Sequence, residues 1–291
     1  MSPPLPKRVI FNFADRCNMR CPFCYIPFDG TAGTEQAAKQ IIGRIAEWNL
    51  TNLTFGGGDP LMYEYFCDLA EYARDILGKK VLIQVDTNGL KLNAQAIRRL
   101  GSVVDVIGLP LETTSPSTAM RMRLKDDYPI LIQDRIKELN SAGIPVKVNT
   151  VVTADKLGDL TYVGQLLTEY AIKLWSLYQF WQIKPSPGAG LEKQLIPTVV
   201  FRKIVESLTQ LFPGLRIESG AVDERRASYF FVTQTGRCYT VRMSDPPKTH
   251  EYVELGSIFT DTTLEQWAQI GSPAANAERA IRRSQALTSN A

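Results

Sequence analysis

Arg8-Val-Ile-Phe-Asn-Phe-Ala-Asp-Arg-Cys17-Asn-Met-Arg-Cys21-Pro-Phe-Cys24 carries the decision on fold and on chemistry together. Its first six residues are β-branched and aromatic enough to read as a strand. Three cysteines follow within eight residues, spaced C-x3-C-x2-C, while Cys67 and Cys238 stand far away. An odd total of five, with three crowded at one end, makes a poor disulfide framework. The crowding points to a metal site in a reducing compartment.

Outward from this stretch, runs at 52–55, 81–85, 104–111, 146–152 and 175–181 also read as strands. Several are apolar at consecutive positions, as parallel strands buried on both faces are. Amphipathic helical patterns fill 34–48, 63–77, 93–100, 130–142 and 157–170. Successive strand starts are mostly about thirty residues apart, the length of a βα unit. Six such units predict an α/β fold, a partial (βα)6 parallel barrel.

Beyond Trp181 the rhythm changes. Residues 184–190 read as a proline- and glycine-broken loop, and 198–211 as a helix. Runs at 228–232 and 238–241 flank Thr235-Gly236, the pattern of an antiparallel hairpin. Residues 274–291 read as a helix that frays at its end. The reading is a core barrel over 1–190 and a C-terminal α+β extension over 191–291 that covers it.

At 291 residues, 44% apolar and 22% charged, the chain can bury a large core. A net charge of +3 argues against a dedicated nucleic-acid binder. Residues 1–8 contain no apolar signal region, and the longest apolar stretch, 103–111, falls short of the roughly 20 residues of a membrane span. A cytoplasmic protein with no membrane and no nucleic-acid partner is expected.

In a parallel barrel the loops at the carboxyl ends of the strands form the active face. Three thiolates on such a loop can hold three irons of a [4Fe–4S] cluster and leave the fourth open. With Phe23 as its aromatic residue, the C-x3-C-x-aromatic-C stretch resembles the signature of the radical S-adenosylmethionine (radical SAM) superfamily. The resemblance covers roughly residues 8–182. It implies that Cys17, Cys21 and Cys24 ligate the cluster, that SAM chelates the open iron, and that an electron donor such as flavodoxin or ferredoxin serves it. Reductive cleavage of SAM would then yield a 5′-deoxyadenosyl radical that abstracts a hydrogen atom from the substrate.

Later segments extend the likeness. Gly56-Gly57-Gly58-Asp59-Pro60 resembles the family's Gly-Gly-Glu-Pro, which implies that the SAM amine meets Asp59 beside the Gly57 and Gly58 backbone. Asp86-Thr87-Asn88-Gly89 resembles its Thr-Asn-Gly, placing Thr87 and Asn88 near the SAM carboxylate or ribose. Glu112 matches a position facing the ribose hydroxyls, and Arg123, with Arg121 as rival, one that pairs with the SAM carboxylate. Phe23 and Tyr25 would line the loop near the adenine. In the fifth strand Lys147 and Asn149 alternate with apolar residues, which turns both toward the lumen and the substrate, and Tyr178 is a further substrate candidate.

Beyond Cys67 only Cys238 remains, too few for a conventional auxiliary cluster, and no leader-peptide-binding domain is expected ahead of Arg8. A single-cluster member is implied. Residues 175–181 and 225–236 resemble the viperin-like branch, whose members bind a nucleoside triphosphate and remove a hydroxyl. Lys147, Lys184, Arg225 and Arg226 are the candidate triphosphate contacts. A small molecule or nucleotide is the favoured substrate. One rival is a glycyl-radical or peptide-modifying activase with a protein substrate. The other is a non-enzymatic iron–sulfur or zinc-binding regulator, for which His250, Cys67 and Cys238 are distant fourth ligands. Cys238 is also a candidate hydrogen-atom donor, against the ordinary reading of a buried, inert thiol. Cys67 reads as core and His250 as structural or exposed.

Overall fold

The computed structural model describes residues 3–28, 30–31, 33–184, 191–243 and 250–288. Six strands pair in parallel and in chain order: β1 (Arg8–Ala14), β2 (Asn52–Gly57), β3 (Leu82–Asp86), β4 (Val106–Pro110), β5 (Val146–Val152) and β6 (Ile172–Gln179). Helices α1 (Glu35–Ala46), α2 (Phe66–Leu77) and α3 (Ala94–Leu100) connect the first four. Two helices, α4 (Pro116–Arg123) and α5 (Tyr128–Ser141), join β4 to β5, and α6 (Asp159–Leu167) precedes β6. Thr34, Asn93 and Ser115 cap α1, α3 and α4 by accepting backbone N–H groups that the first turn leaves free. The eight-residue α4 is absent from the sequence reading because its apolar positions form no stripe.

The barrel's two faces follow the period of two. Val9, Phe11 and Phe13 join the apolar core, while Arg8 and Ile10 line the lumen. Ile83 and Val85 alternate with lumen-facing Asp86, and Val146 and Val148 with Asn149 and Val151. The strands are doubly buried as expected, but the lumen face is largely polar.

The C-terminal strands join the same sheet on both flanks. After β7 (Ile183–Lys184) and helix α7 (Thr198–Leu211), β8 (Ile217–Gly220) pairs in parallel with β6. A short helix α8 (Val222–Arg225) leads to β9 (Phe230–Thr233), which pairs in parallel with β1. The expected hairpin forms between β9 and β10 (Arg237–Met243), and β11 (His250–Ser257) pairs with β10 and β7. The resulting order of eleven strands is β7-β11-β10-β9-β1-β2-β3-β4-β5-β6-β8. The extension is thus built into the barrel's sheet, and residues 221–229 connect the two flanks.

Helices α9 (Thr262–Ile270) and α10 (Pro273–Thr288) complete the described chain. The Asn276 amide on α10 accepts the Lys7 and Arg8 backbone N–H groups at 2.9 and 3.0 Å and donates to the Arg8 and Ser228 carbonyls. Leu287 packs against Leu82, Val106 and Leu174 near the strand beginnings. Helix α10 therefore closes the floor of the barrel, opposite the cysteine loop, and is docked along its described length; the end expected to fray includes residues 289–291, outside the described residues. Residues 185–190 of the expected loop also lie outside the described residues. No helix among the described residues is long and apolar enough to cross a membrane.

Candidate active site

A cavity of about 1040 Å³ runs through the barrel from the cysteine loop to the floor. Cys17, Cys21 and Cys24 line its mouth as half-buried free thiols. Burial pushes the Cys17 thiol up and the Cys24 thiol to about 11 in the metal-free protein. Two donors already address the sulfurs. The Asn88 amide lies 3.6 Å from Cys17 Sγ, and Arg123 lies 3.2 Å from Cys21 Sγ with its guanidinium over the Phe23 ring.

The glycine run positions this loop. Gly57 has φ +102°, and a Cβ there would stand 2.4 Å from the Ala14 carbonyl oxygen. At Gly58 the same atom would be 1.9 Å from the Arg16 carbonyl oxygen. Gly58 N–H donates to Ala14 at 2.6 Å, and Asp59 N–H to Arg16 at 2.8 Å. The close approach expected between these glycines and a ligand is made to the chain entering the cysteine loop, while Gly57 and Gly58 also line the cavity.

Several sequence expectations are corrected by the side chains. Asp59 is fully buried and is not among the cavity's lining residues. Its carboxylate accepts from Leu61 N–H at 2.9 Å, and from Thr87 Oγ1 and Asn88 N–H at 2.8 Å each. Burial pushes its pKa up and these donors pull against that, so Asp59 braces β2 against the β3 loop. Glu112, expected at the ribose, is buried, does not line the cavity, and accepts from the Arg123 guanidinium at 2.9 Å. Arg121 is exposed and bonds within its own helix, leaving Arg123 as the arginine at the mouth.

Thr87, Asn88, Phe23 and Tyr25 line the cavity. Asn149 and Tyr178 also face it, but Lys147 lies behind them, donating to Asn149 Oδ1 and, at 3.1 Å, to the Tyr178 hydroxyl. Cys238 sits in the apolar core, where burial pushes its thiol far up, so the hydrogen-donor role is corrected to packing. Cys67 is buried on α2, as read. His250 is half-buried against Trp181. Arg226 lines a separate surface cavity, and the Lys184 side chain lies outside the described residues.

The floor was not legible beforehand. Arg283 from α10 is 1% exposed and meets Glu218 at 2.7 Å, Gln84 Oε1 at 3.1 Å and the Tyr178 hydroxyl at 3.2 Å. Burial opposes the Glu218 charge, but Arg283 and Lys147 outweigh it and hold the carboxyl well below its ordinary range. The same two cations overcome burial at Tyr178 and lower its phenol. The spacing of Asn276, Arg279, Ala280, Arg283 and Leu287 on one helical face was the available signal.

The chemistry of the donors suits a cluster. Among the described residues no three His, Cys, Asp or Glu side chains converge to hold one metal ion. A [4Fe–4S] cluster takes one thiolate per iron, so its ligands stand apart on the loop. Cys17, Cys21 and Cys24 are the thiols available to it.

Residues 11–155 match the model of the Radical SAM superfamily. An S-adenosylmethionine-dependent nucleotide dehydratase from Selenomonas ruminantium is 25% identical over 268 residues, covering 87% of this chain and 91% of that protein. One from Flammeovirga pacifica is 24% identical over 209 residues, covering 68% and 70%. In fold the chain is similar to Streptococcus suis SuiB bound to S-adenosylmethionine, with a TM-score of 0.69 at 15% identity. That match covers 81% of this chain and 60% of SuiB, and it shows the partial barrel. The family uses a [4Fe–4S] cluster and SAM. With the barrel in place and the matched domain spanning the cysteine loop and the glycine run, this chain belongs to the radical SAM superfamily of enzymes.

Proposed function

We propose that this chain is a single-cluster radical SAM enzyme acting on a nucleotide held inside its barrel. The observation that carries the reading is the continuous cavity between the cysteine loop and a floor rich in cations. The relatives named nucleotide dehydratases support the substrate class.

Cys17, Cys21 and Cys24 hold the cluster, with Asn88 and Arg123 directed at two of the sulfurs. When bound, the cluster and SAM supply a 5′-deoxyadenosyl radical that takes a hydrogen atom from a substrate C–H bond. Phe23 and Tyr25 give the cofactor apolar walls, and Gly57 and Gly58 keep the loop against β1. Thr87 lines the mouth with its hydroxyl committed to Asp59, while Asn149 and Tyr178 meet the substrate below. Residues 221–229 and α10 exclude water from the lumen, which protects a reactive intermediate. Cys67 and Cys238 are both buried in the core, which supports a single cluster. An external flavodoxin- or ferredoxin-type electron donor and a reducing, cytoplasmic setting belong to the same reading.

The test is anaerobic reconstitution with iron and sulfide, reduction, and assay of 5′-deoxyadenosine against a panel of nucleosides and nucleotides. Release stimulated by a nucleotide is expected. Stimulation by peptide or protein alone would overturn the nucleotide reading in favour of an activase.

A further inference from the structure

Lys156 ends the short helical turn Ala154–Lys156 that follows β5. Its neighbours Ala154 and Asp155 are exposed, yet the lysine itself is 1% exposed. A long side chain one residue from solvent can ordinarily lift its ammonium into water, but this one is turned inward. Its Nζ has no hydrogen-bond partner. It stands 6.0 Å from the centre of the Phe23 ring, and the Arg123 guanidinium lies 4.8 Å from the centre of the same ring. Phe23 itself falls between Cys21 and Cys24. The turn is pinned in place, with Thr153 Oγ1 donating to Asp155 Oδ1 at 2.6 Å and Asp155 N–H to Gln194 Oε1 at 3.1 Å.

A buried ammonium without a partner is costly, and one aromatic face offsets little of that cost. The acids around it are engaged elsewhere. Glu112 binds Arg123, Asp155 accepts from Thr153, and Asp159 accepts from Thr113 at 2.6 Å. Burial pulls the Lys156 pKa down to about 7 from an ordinary 10.5, and Glu112 opposes this ahead of Asp155 and Asp159. Against Glu112, Arg123 and Lys156 leave one positive charge in excess beside the cysteine loop. Lys156 does not line the cavity, so it meets no ligand in the lumen. What the excess charge faces is the loop. A [4Fe–4S] core held by three thiolates is negative overall, and reduction adds a further negative charge, so a buried cation nearby favours the reduced state.

We infer that Lys156 is a positioning residue for the cluster, seated against the Phe23 ring so that its charge, with that of Arg123, eases reduction. The inference rests on Cys17, Cys21 and Cys24 being the cluster ligands and is independent of which substrate enters the lumen. The ring gives the ammonium an apolar seat near the loop without a hydrogen bond to any thiol.

The experiment uses the anaerobically reconstituted holoenzyme. Lys156→Met, Lys156→Arg and the wild type are compared for iron content, affinity for SAM and midpoint potential. The potential is read from the electron paramagnetic resonance signal of the reduced cluster during a redox titration. Lys156→Met keeps the apolar stem and removes the charge. It should hold about tenfold less reduced cluster at a given ambient potential, a midpoint about 59 mV lower for a one-electron couple, while binding SAM as the wild type does. Lys156→Arg should recover most of that shift. The signal comes only from loaded molecules, so the potential is read even where a variant takes up less iron. An unchanged potential in Lys156→Met, or the same fall in Lys156→Arg, would overturn the inference. Weaker SAM binding at an unchanged potential would also overturn it and make Lys156 a cofactor contact. A wild-type protein that takes up no iron would reject the cluster reading itself, and the role of Lys156 with it.

Discussion

The two ends of the barrel treat charge in opposite ways. At the mouth two acids are held by neighbours: Asp59 accepts three hydrogen bonds, and Glu112 holds Arg123. At the floor, Arg8 and Arg225 leave donors unpaired behind a single ion pair between Arg283 and Glu218. The mouth is preorganised around a cofactor that brings its own chemistry. The floor stores uncompensated charge, which is useful only if something anionic arrives. Stability has been given up where binding is wanted, and kept where geometry is wanted.

The largest effect expected is at the mouth. Cys17→Ala, Cys21→Ala or Cys24→Ala should lower iron content and take 5′-deoxyadenosine formation to the protein-free background, measured after identical reconstitution. Gly58→Ala comes next, because its Cβ would meet a backbone oxygen at 1.9 Å. It should displace the cysteine loop and reduce iron incorporation although no thiol is touched, and full cluster loading would break the claim that the glycine run sets the mouth.

At the floor, Glu218→Ala strands Arg283 and Lys147 and should cost about 3–5 kcal/mol in denaturant unfolding. Adding Arg283→Met to it should recover part of that loss, since the stranded charge is removed. A smaller, pH-dependent effect belongs to His250, half-buried against Trp181. Burial, with help from Arg225 and Arg226, holds its pKa at about 4 against an ordinary 6.5. The unfolded imidazole takes its proton near 6.5 and the folded one only near 4, so stability is lost as pH falls through that window. Melting curves across the window should show the decline, and His250→Gln should flatten it. Least of all, breaking the exposed Lys39–Glu35 pair on α1 should leave the melting temperature unchanged.

The same contrast explains what the sequence disclosed. The mouth is written in contiguous stretches at successive strand ends, so its three thiols, its glycine run and Asn88 could be read in order. Where reading failed there, at Asp59 and Glu112, the residues were found but their partners turned out to be neighbours inside the protein. The floor joins Arg8, Lys147, Tyr178, Glu218, Arg225 and Arg283 from strands and helices far apart in the chain. No local period marks such a meeting. The parallel pairing of β8 with β6 and β9 with β1 is equally invisible, because it is decided by which open edges remain once the six units have folded.

That pairing fixes an order of assembly. The edges of β1 and β6 stay open, as templates for wrong partners, until Phe230 reaches Val9 and Ile217 reaches Trp175. Contacts so distant along the chain form slowly. The chamber is therefore the last part of the molecule to exist during synthesis. A truncation between β6 and β8 keeps the cysteine triplet, the glycine run and Asn88 and loses the enclosed space in which they have a use.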